Sequence, residues 1–176
     1  MPVDRHLQLQ IQRTRLLFGL VQQPTTLSWE QLTALPTVDV VVDIHCVTKW
    51  SKFDTAWHGV AFETLLEQAG GPAPGATHLM THAEFGFTAN IPLEDCLGVE
   101  DKGQPRAMVA WRYDGRDLDP EHGYPARFFL PRLYFWKSAK WLRGLELLDH
   151  DEPGFWEQNG YNMYGDPFRE QRYWGD

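Results

Sequence analysis

Residues 38–52 read VDVVVDIHCVTKWSK, and this stretch decides how the chain is understood. The β-branched run from Val38 to Ile44, interrupted only by Asp39 and Asp43, predicts a largely buried strand. Such a strand carries the residues after it to a sheet end, where reactive groups are commonly mounted. Those residues are His45, Cys46, Val47, Thr48, Lys49, Trp50, Ser51 and Lys52. A thiol with two lysines close in sequence suits chemistry that needs a thiolate, either a nucleophile or a soft metal ligand. An inert buried cysteine is the plain alternative. His45 and Cys46 are neighbours, and on an extended chain their side chains face opposite ways.

Working outward, Ser28 followed by Gln31 predicts a capping box and a short helix to about Leu35, closed by Pro36. Upstream, Leu7, Leu9 and Ile11 alternate with glutamines, the period of a half-exposed strand. Downstream, Phe62, Leu65, Leu66 and Ala69 fall at helical spacing before Gly70 and Gly71. Ala76 to Thr81 predicts a strand, and Pro92, Glu94 and Asp95 open a helical turn that Gly98 ends. Ala107 to Tyr113 predicts a strand running into an Asp114-Gly115 turn, Arg127 to Leu130 predicts another short strand, and Leu145 to Leu148 is a further apolar segment. Residues 151–176 are rich in Gly, Pro and aromatics without a period, so an irregular tail is expected there. With no repeat and no linker, residues 1–176 are expected to form a single mixed α/β domain of the α+β class.

Composition narrows the function. The 176 residues contain 24 Asp and Glu against 16 Lys and Arg, a net charge of -8, which disfavours nucleic acid as a partner. Two cysteines cannot make a disulfide framework. No apolar run has signal-peptide or membrane-span length, so a cytoplasmic protein without membrane insertion is expected. The scarce basic residues gather between Pro131 and Leu142, where Arg132, Lys137, Ser138 and Lys140 stand among Tyr134, Phe135, Trp136 and Trp141. Cations and a hydroxyl beside aromatic rings suit a flat ligand with a phosphate tail; a solvated charged face is the alternative. The chain has neither a Walker A sequence nor a Gly-rich dinucleotide fingerprint, and its His and Cys residues lack zinc-motif spacing.

Taken together, these segments resemble the molybdopterin-binding domain of the sulfite-oxidase-like oxidoreductases. The resemblance runs in order through most of the chain. Gly19-Leu20-Val21 to Leu35-Pro36 looks like the entry segment, and His45-Cys46-Val47-Thr48-Lys49-Trp50-Ser51 like the cysteine loop. Trp57-His58-Gly59-Val60 and Asn90-Ile91-Pro92-Leu93 follow, then His122-Gly123-Tyr124-Pro125-Ala126-Arg127 and Lys137-Ser138-Ala139-Lys140-Trp141-Leu142.

The resemblance implies a molybdenum cofactor held by a pterin dithiolene and one protein thiolate, which is Cys46 at the matching position. It implies that Lys137, Ser138 and Lys140 grip the pterin phosphate, with Arg127 beside them, and that Gly123 lets backbone approach the cofactor. His45, Thr48 and Trp50 would flank it, and His45 and Arg132 would meet the substrate. The implied reaction is oxygen-atom transfer to or from a small-molecule substrate. A chain this short leaves no room for a haem domain, so a separate electron donor or acceptor protein is expected. Sulfite-oxidising relatives commonly carry a Tyr four residues before the Ile-Pro pair, where this chain has Phe87, so sulfite itself is not the expected substrate. Two other readings compete: a hydrolase or transferase using Cys46 as nucleophile with His82 or His122, and a pterin- or anion-binding module without turnover.

Overall fold

The computed structural model describes residues 15–100 and 103–176, so the expected strand around Leu7 to Ile11 lies outside the described residues. The chain begins with strands β1 (Arg15–Gly19) and β2 (Thr25–Thr26) and helix α1 (Trp29–Thr33). α1 starts on the expected capping box: the Gln31 N–H donates to the Ser28 hydroxyl at 3.2 Å, and the Ser28 N–H donates to the Gln31 side-chain oxygen at 2.8 Å. Strands β3 (Val38–Cys46) and β4 (Trp50–Ala61) form a hairpin, and α2 (Phe62–Gln68) continues directly from β4. Next come β5 (His78–Ala83), β6 (Thr88–Pro92) and α3 (Leu93–Cys96). Then follow β7 (Met108–Tyr113), β8 (Arg116–Asp117), β9 (Arg127–Phe129), β10 (Leu142–Leu148) and the short helix α4 (Phe155–Gln158).

Two five-stranded sheets result. One has the order β2-β1-β10-β5-β6, in which β1 and β10, from opposite ends of the chain, pair in parallel. The other has the order β3-β4-β7-β8, with β9 also paired to β7. Leu17, Leu79, Ile91, Leu145 and Leu147 of the first sheet and Val60, Val109 and Phe128 of the second share one buried cluster with α2. Burying such side chains contributes about 1.5–3 kcal/mol each, which makes this the main source of stability. A smaller cluster of Val40, Ile44, Trp57, Met108, Ala110, Leu118 and Phe129 covers the opposite face of the second sheet. The fold is α+β, as expected.

The structure corrects the account of residues 38–44. β3 is an edge strand, not a largely buried one: only Val40 and Ile44 are sealed, while Val41 is half exposed. The Val-rich run alternates in and out because only one face of the strand, that of Val40 and Ile44, is packed, which is the antiparallel pattern rather than the buried parallel one. The tail is also less peripheral than expected. Gly154 and Glu157 are buried, and Glu157 reaches into the domain. Among the described residues, no helix is long and apolar enough to cross a membrane.

Candidate active site

The site is built on the tip of the β3–β4 hairpin. Cys46 pairs with Trp50 and His45 with Ser51 across the ladder, and Lys49, in the left-handed region at φ 68°, turns the chain between them. The tight turn brings the Thr48 hydroxyl to 3.1 Å from Cys46 Sγ, and the His45 Nδ1 to 2.8 Å from Ser51 Oγ. The Cys46 thiol lies in the wall of a cavity of about 330 Å³. His45, Lys49, Trp50 and Ser51 line it from the hairpin, Tyr134 from below, and Pro167, Glu170 and Arg172 from the tail.

A second cavity, of about 660 Å³, lies along the face of the second sheet and shares Trp50 with the first. Its floor is aromatic. Trp57 stacks on Phe129 at 4.2 Å between centroids, with Tyr113 at 4.8 Å and Phe135 at 6.1 Å. Lys52, Arg116, Asp117, Asp119, His122 and Arg127 stand around the rim and end.

Arg127 closes that end. Its Nη1 donates to the His122 carbonyl at 3.0 Å and its Nη2 to the Ser138 carbonyl at 2.7 Å, while the guanidinium lies 4.3 Å over the Phe135 ring. Its Nε is buried without a protein partner. Burial pushes the Arg127 pKa down to about 9, the mark of a cation whose surroundings supply too little negative charge. Two neighbours shape the spot. Asp119 caps a single helical turn at Pro120–His122, accepting from the His122 N–H and bonding its imidazole at 2.7 Å. Gly123 follows at φ 109°; a Cβ there would sit 3.1 Å from Lys140 Cα and 3.3 Å from Arg127 Cβ.

The expected residues thus divide. Cys46, His45 and Trp50 line the Cys46 cavity with Thr48 on the sulfur, and Arg127 lines the larger one behind Gly123. Lys140 stands beside them: its ammonium donates to the Glu121 carbonyl at 3.0 Å, and burial together with the Arg127 charge lowers its pKa. The other three side chains do not join them. Lys137 is fully buried, donating to Asn90 O, Asn90 Oδ1 and Met163 O at 2.7–2.9 Å and paired with Glu157, so its three N–H bonds are committed inside the protein. The Ser138 hydroxyl accepts from the Leu130 N–H at 2.9 Å in the interior, and only its carbonyl serves the site, through Arg127. Arg132 pairs with Asp95 at 3.0 Å and Glu100 at 3.5 Å and lines neither cavity. Phe87 packs against Phe155 and lines neither cavity.

Sequence reading left several lining residues without a role. Trp57 and His122 stood in quoted motifs, and His122 was weighed only as a partner base for Cys46; a flat, rigid floor and a capped turn are the roles the structure gives them. Tyr134 stood among the aromatics of the basic cluster, whereas Glu170 and Arg172 carried no signal, because no motif or period marks the tail.

Comparison with known proteins shows the family and the fold. The oxidoreductase molybdopterin binding domain matches residues 5–156. An uncharacterized oxidoreductase of Bacillus subtilis, YuiH, is 45% identical over 160 residues, covering 91% of this chain and 77% of that protein. The protein-methionine-sulfoxide reductase catalytic subunit MsrP of Gluconobacter oxydans is 31% identical over 159 residues, covering 84% of this chain and 50% of that one. The crystal structure of the sulfane dehydrogenase SoxCD from Paracoccus pantotrophus shares the fold with a TM-score of 0.69 at 23% identity, over 94% of this chain and 45% of that one. The chain therefore spans about half the length of these last two relatives. Matched over most of its length and sharing the fold, this chain belongs to the oxidoreductase molybdopterin-binding domain family.

Proposed function

We propose that this protein carries out oxygen-atom transfer to or from a small substrate at a molybdenum centre, with Cys46 as the protein's sulfur ligand. One observation carries the reading: Cys46 and Arg127, whose Nε is buried without a protein partner, line two cavities that share Trp50. The residues fit the cofactor. The larger cavity, about 660 Å³ with an aromatic floor, has the size and walls of a site for a flat organic ligand. Arg127 has a buried N–H to give an anionic tail, with His122 and Lys140 beside it. Gly123 leaves no space for a side chain where that tail would pass.

When bound, the cofactor supplies the two-electron chemistry of the metal. The chain's own groups do the rest. The Thr48 hydroxyl, 3.1 Å from Cys46 Sγ, donates to the sulfur once it is a thiolate and fixes its direction. Trp57, Tyr113 and Phe135 hold a flat ring by its faces. Trp50, which lines both cavities, would stand between a bound ring and the Cys46 cavity, and His45, oriented by Ser51, would face a substrate there. The reducing equivalents pass to or from a separate electron-transfer protein.

The nucleophile reading has less support. Cys46 bonds Thr48, while His82 is bonded to Glu146 at 2.8 Å in the other sheet and His122 lines the larger cavity. Protein purified from a cofactor-competent host is expected to contain near-stoichiometric molybdenum and releasable pterin, and Arg127→Gln is expected to lose most of both. Wild-type protein with neither metal nor pterin overturns the proposal. Assays with sulfite, sulfoxides and N-oxides then rank substrates.

A further inference from the structure

The two strands of the Cys46 hairpin do not match residue for residue. Val42 stands opposite Thr55 and Ile44 opposite Lys52, so the single residue Asp43 faces two, Phe53 and Asp54. These two form a β-bulge, and Asp54 is in the left-handed region at φ 52°. Its N–H donates to the Asp43 carboxylate at 3.0 Å. Next along β4, Thr55 fastens the adjoining regular pair: its hydroxyl donates to the Val42 carbonyl at 2.5 Å and accepts from the Trp57 indole at 2.8 Å.

The bulge decides which residues of β4 face the site. Side chains directly opposite each other on an antiparallel pair share a face, and faces alternate along each strand. Val40, Val42, Ile44 and Cys46 lie on one face of β3, and the residues paired with them are Trp57, Thr55, Lys52 and Trp50. Only the extra residue lets the odd-numbered Trp57 and the even-numbered Trp50 share that face. In a ladder without the bulge, Ile44 would stand opposite Phe53 and Cys46 opposite Ser51. Lys52 and Trp50 would then turn to the other face, away from the larger cavity that they now line with Trp57.

The unbulged ladder has two terms in its favour. It frees Asp54 from a left-handed backbone, and it brings Phe53, now 67% exposed, beside Ile44 on the packed face. The charges oppose it. It sets Asp43 directly opposite Asp54, two like charges across a ladder, and it gives up the hydrogen bond that the Asp43 carboxylate now accepts.

We propose that Asp43 and Asp54 are positioning residues for the site: together they lock the bulged register of the hairpin and so keep Cys46 opposite Trp50, with Trp50 and Lys52 on the face that carries Trp57. The use of that placement in holding the cofactor rests on the oxygen-transfer reading above; the register itself does not.

The full chain purified from a cofactor-competent host serves both measurements. NMR reads the register through side-chain contacts of Ile44 with Lys52 or with Phe53, and pterin content reads its consequence. The wild type is expected to show the Ile44–Lys52 contact. Asp54→Lys sets opposite charges across the unbulged ladder and disfavours the left-handed backbone, so it is expected to shift the contact to Phe53 and to lower pterin content at least severalfold. Asp43→Ala is expected to act in the same direction, and adding Asp54→Gly to it to restore both readings, because glycine takes the left-handed backbone freely. Asp43 and Asp54 are exposed, so these changes leave the core intact. An Ile44–Lys52 contact that survives in Asp54→Lys overturns the proposal, as does a shifted register with wild-type pterin content, or a failure of Asp54→Gly to restore the Asp43→Ala protein. Wild-type protein in the bulged register that holds neither pterin nor molybdenum defeats the oxygen-transfer reading and leaves the register assignment standing.

Discussion

Lys137 Nζ lies 2.7 Å from Glu157 Oε1, and both side chains are sealed from solvent. A lysine that its neighbours in sequence suggest for a phosphate is instead the pin that fastens the tail to the domain. It reaches Asn90 on β6 and Met163 in the tail, while the Trp136 indole donates to the same Glu157 oxygen at 2.8 Å. Burial lowers the Lys137 pKa, and the Glu157 carboxylate beside it opposes that shift.

Replacing Lys137 by Met is therefore expected to destabilise the protein by about 3–5 kcal/mol, because it strands the Glu157 charge in the interior. The denaturant midpoint measures this. The double change Lys137→Met with Glu157→Gln should recover a large part of the loss, since no buried charge then remains. Equal losses in the single and double variants would show that the pairing is not what holds the tail.

Gly123→Ala is expected to cost about 1–3 kcal/mol, since the position has a left-handed backbone and a methyl group there presses on Lys140 and Arg127. It should also lower the pterin content of the purified protein, because Arg127 is the group displaced. A variant with wild-type melting temperature and wild-type pterin content would contradict the role given to this turn.

The two thiols should behave differently. Cys96 is 1% exposed, and burial pushes its pKa well up, whereas Cys46 stands in a cavity wall. Native, cofactor-loaded protein is expected to show no reactive thiol. Stripping the cofactor should release one, and unfolding should release both cysteines of the chain. Alkylation followed by peptide mass mapping identifies which residue reacts, and modification of Cys46 in the loaded protein would contradict its place on the metal.

What the sequence disclosed and what it hid follow from the range of the interactions. Ser28 with Gln31, and Asp114 with Gly115, were legible because capping and a two-residue turn are local: both turn residues have positive φ, 46° and 73°, as such a hairpin demands. The position of Cys46 at a strand end, in a cavity wall, was legible from its place after a β-branched run. The exposure of Val41 was not, because an edge strand and a central one share composition and differ only in what lies beyond. The long strand β4 went unread because Ser51, Lys52, Asp54 and Gly59 break its alternation. Lys137 looked like a surface cation because its partner is 20 positions away, in a tail whose order comes from ring contacts such as Trp156 with Tyr161 that no period encodes. For the same reason Arg172 could be found only in three dimensions.

The central claim is that the Cys46 sulfur is bonded to molybdenum, and X-ray absorption at the molybdenum edge tests it most directly. Wild-type protein and Cys46→Ser, both purified from a cofactor-competent host, are compared for the number of sulfur neighbours of the metal. The account predicts one sulfur fewer in Cys46→Ser, with the pterin still present because Arg127 and the aromatic floor are untouched. An identical sulfur count in the two proteins would contradict it.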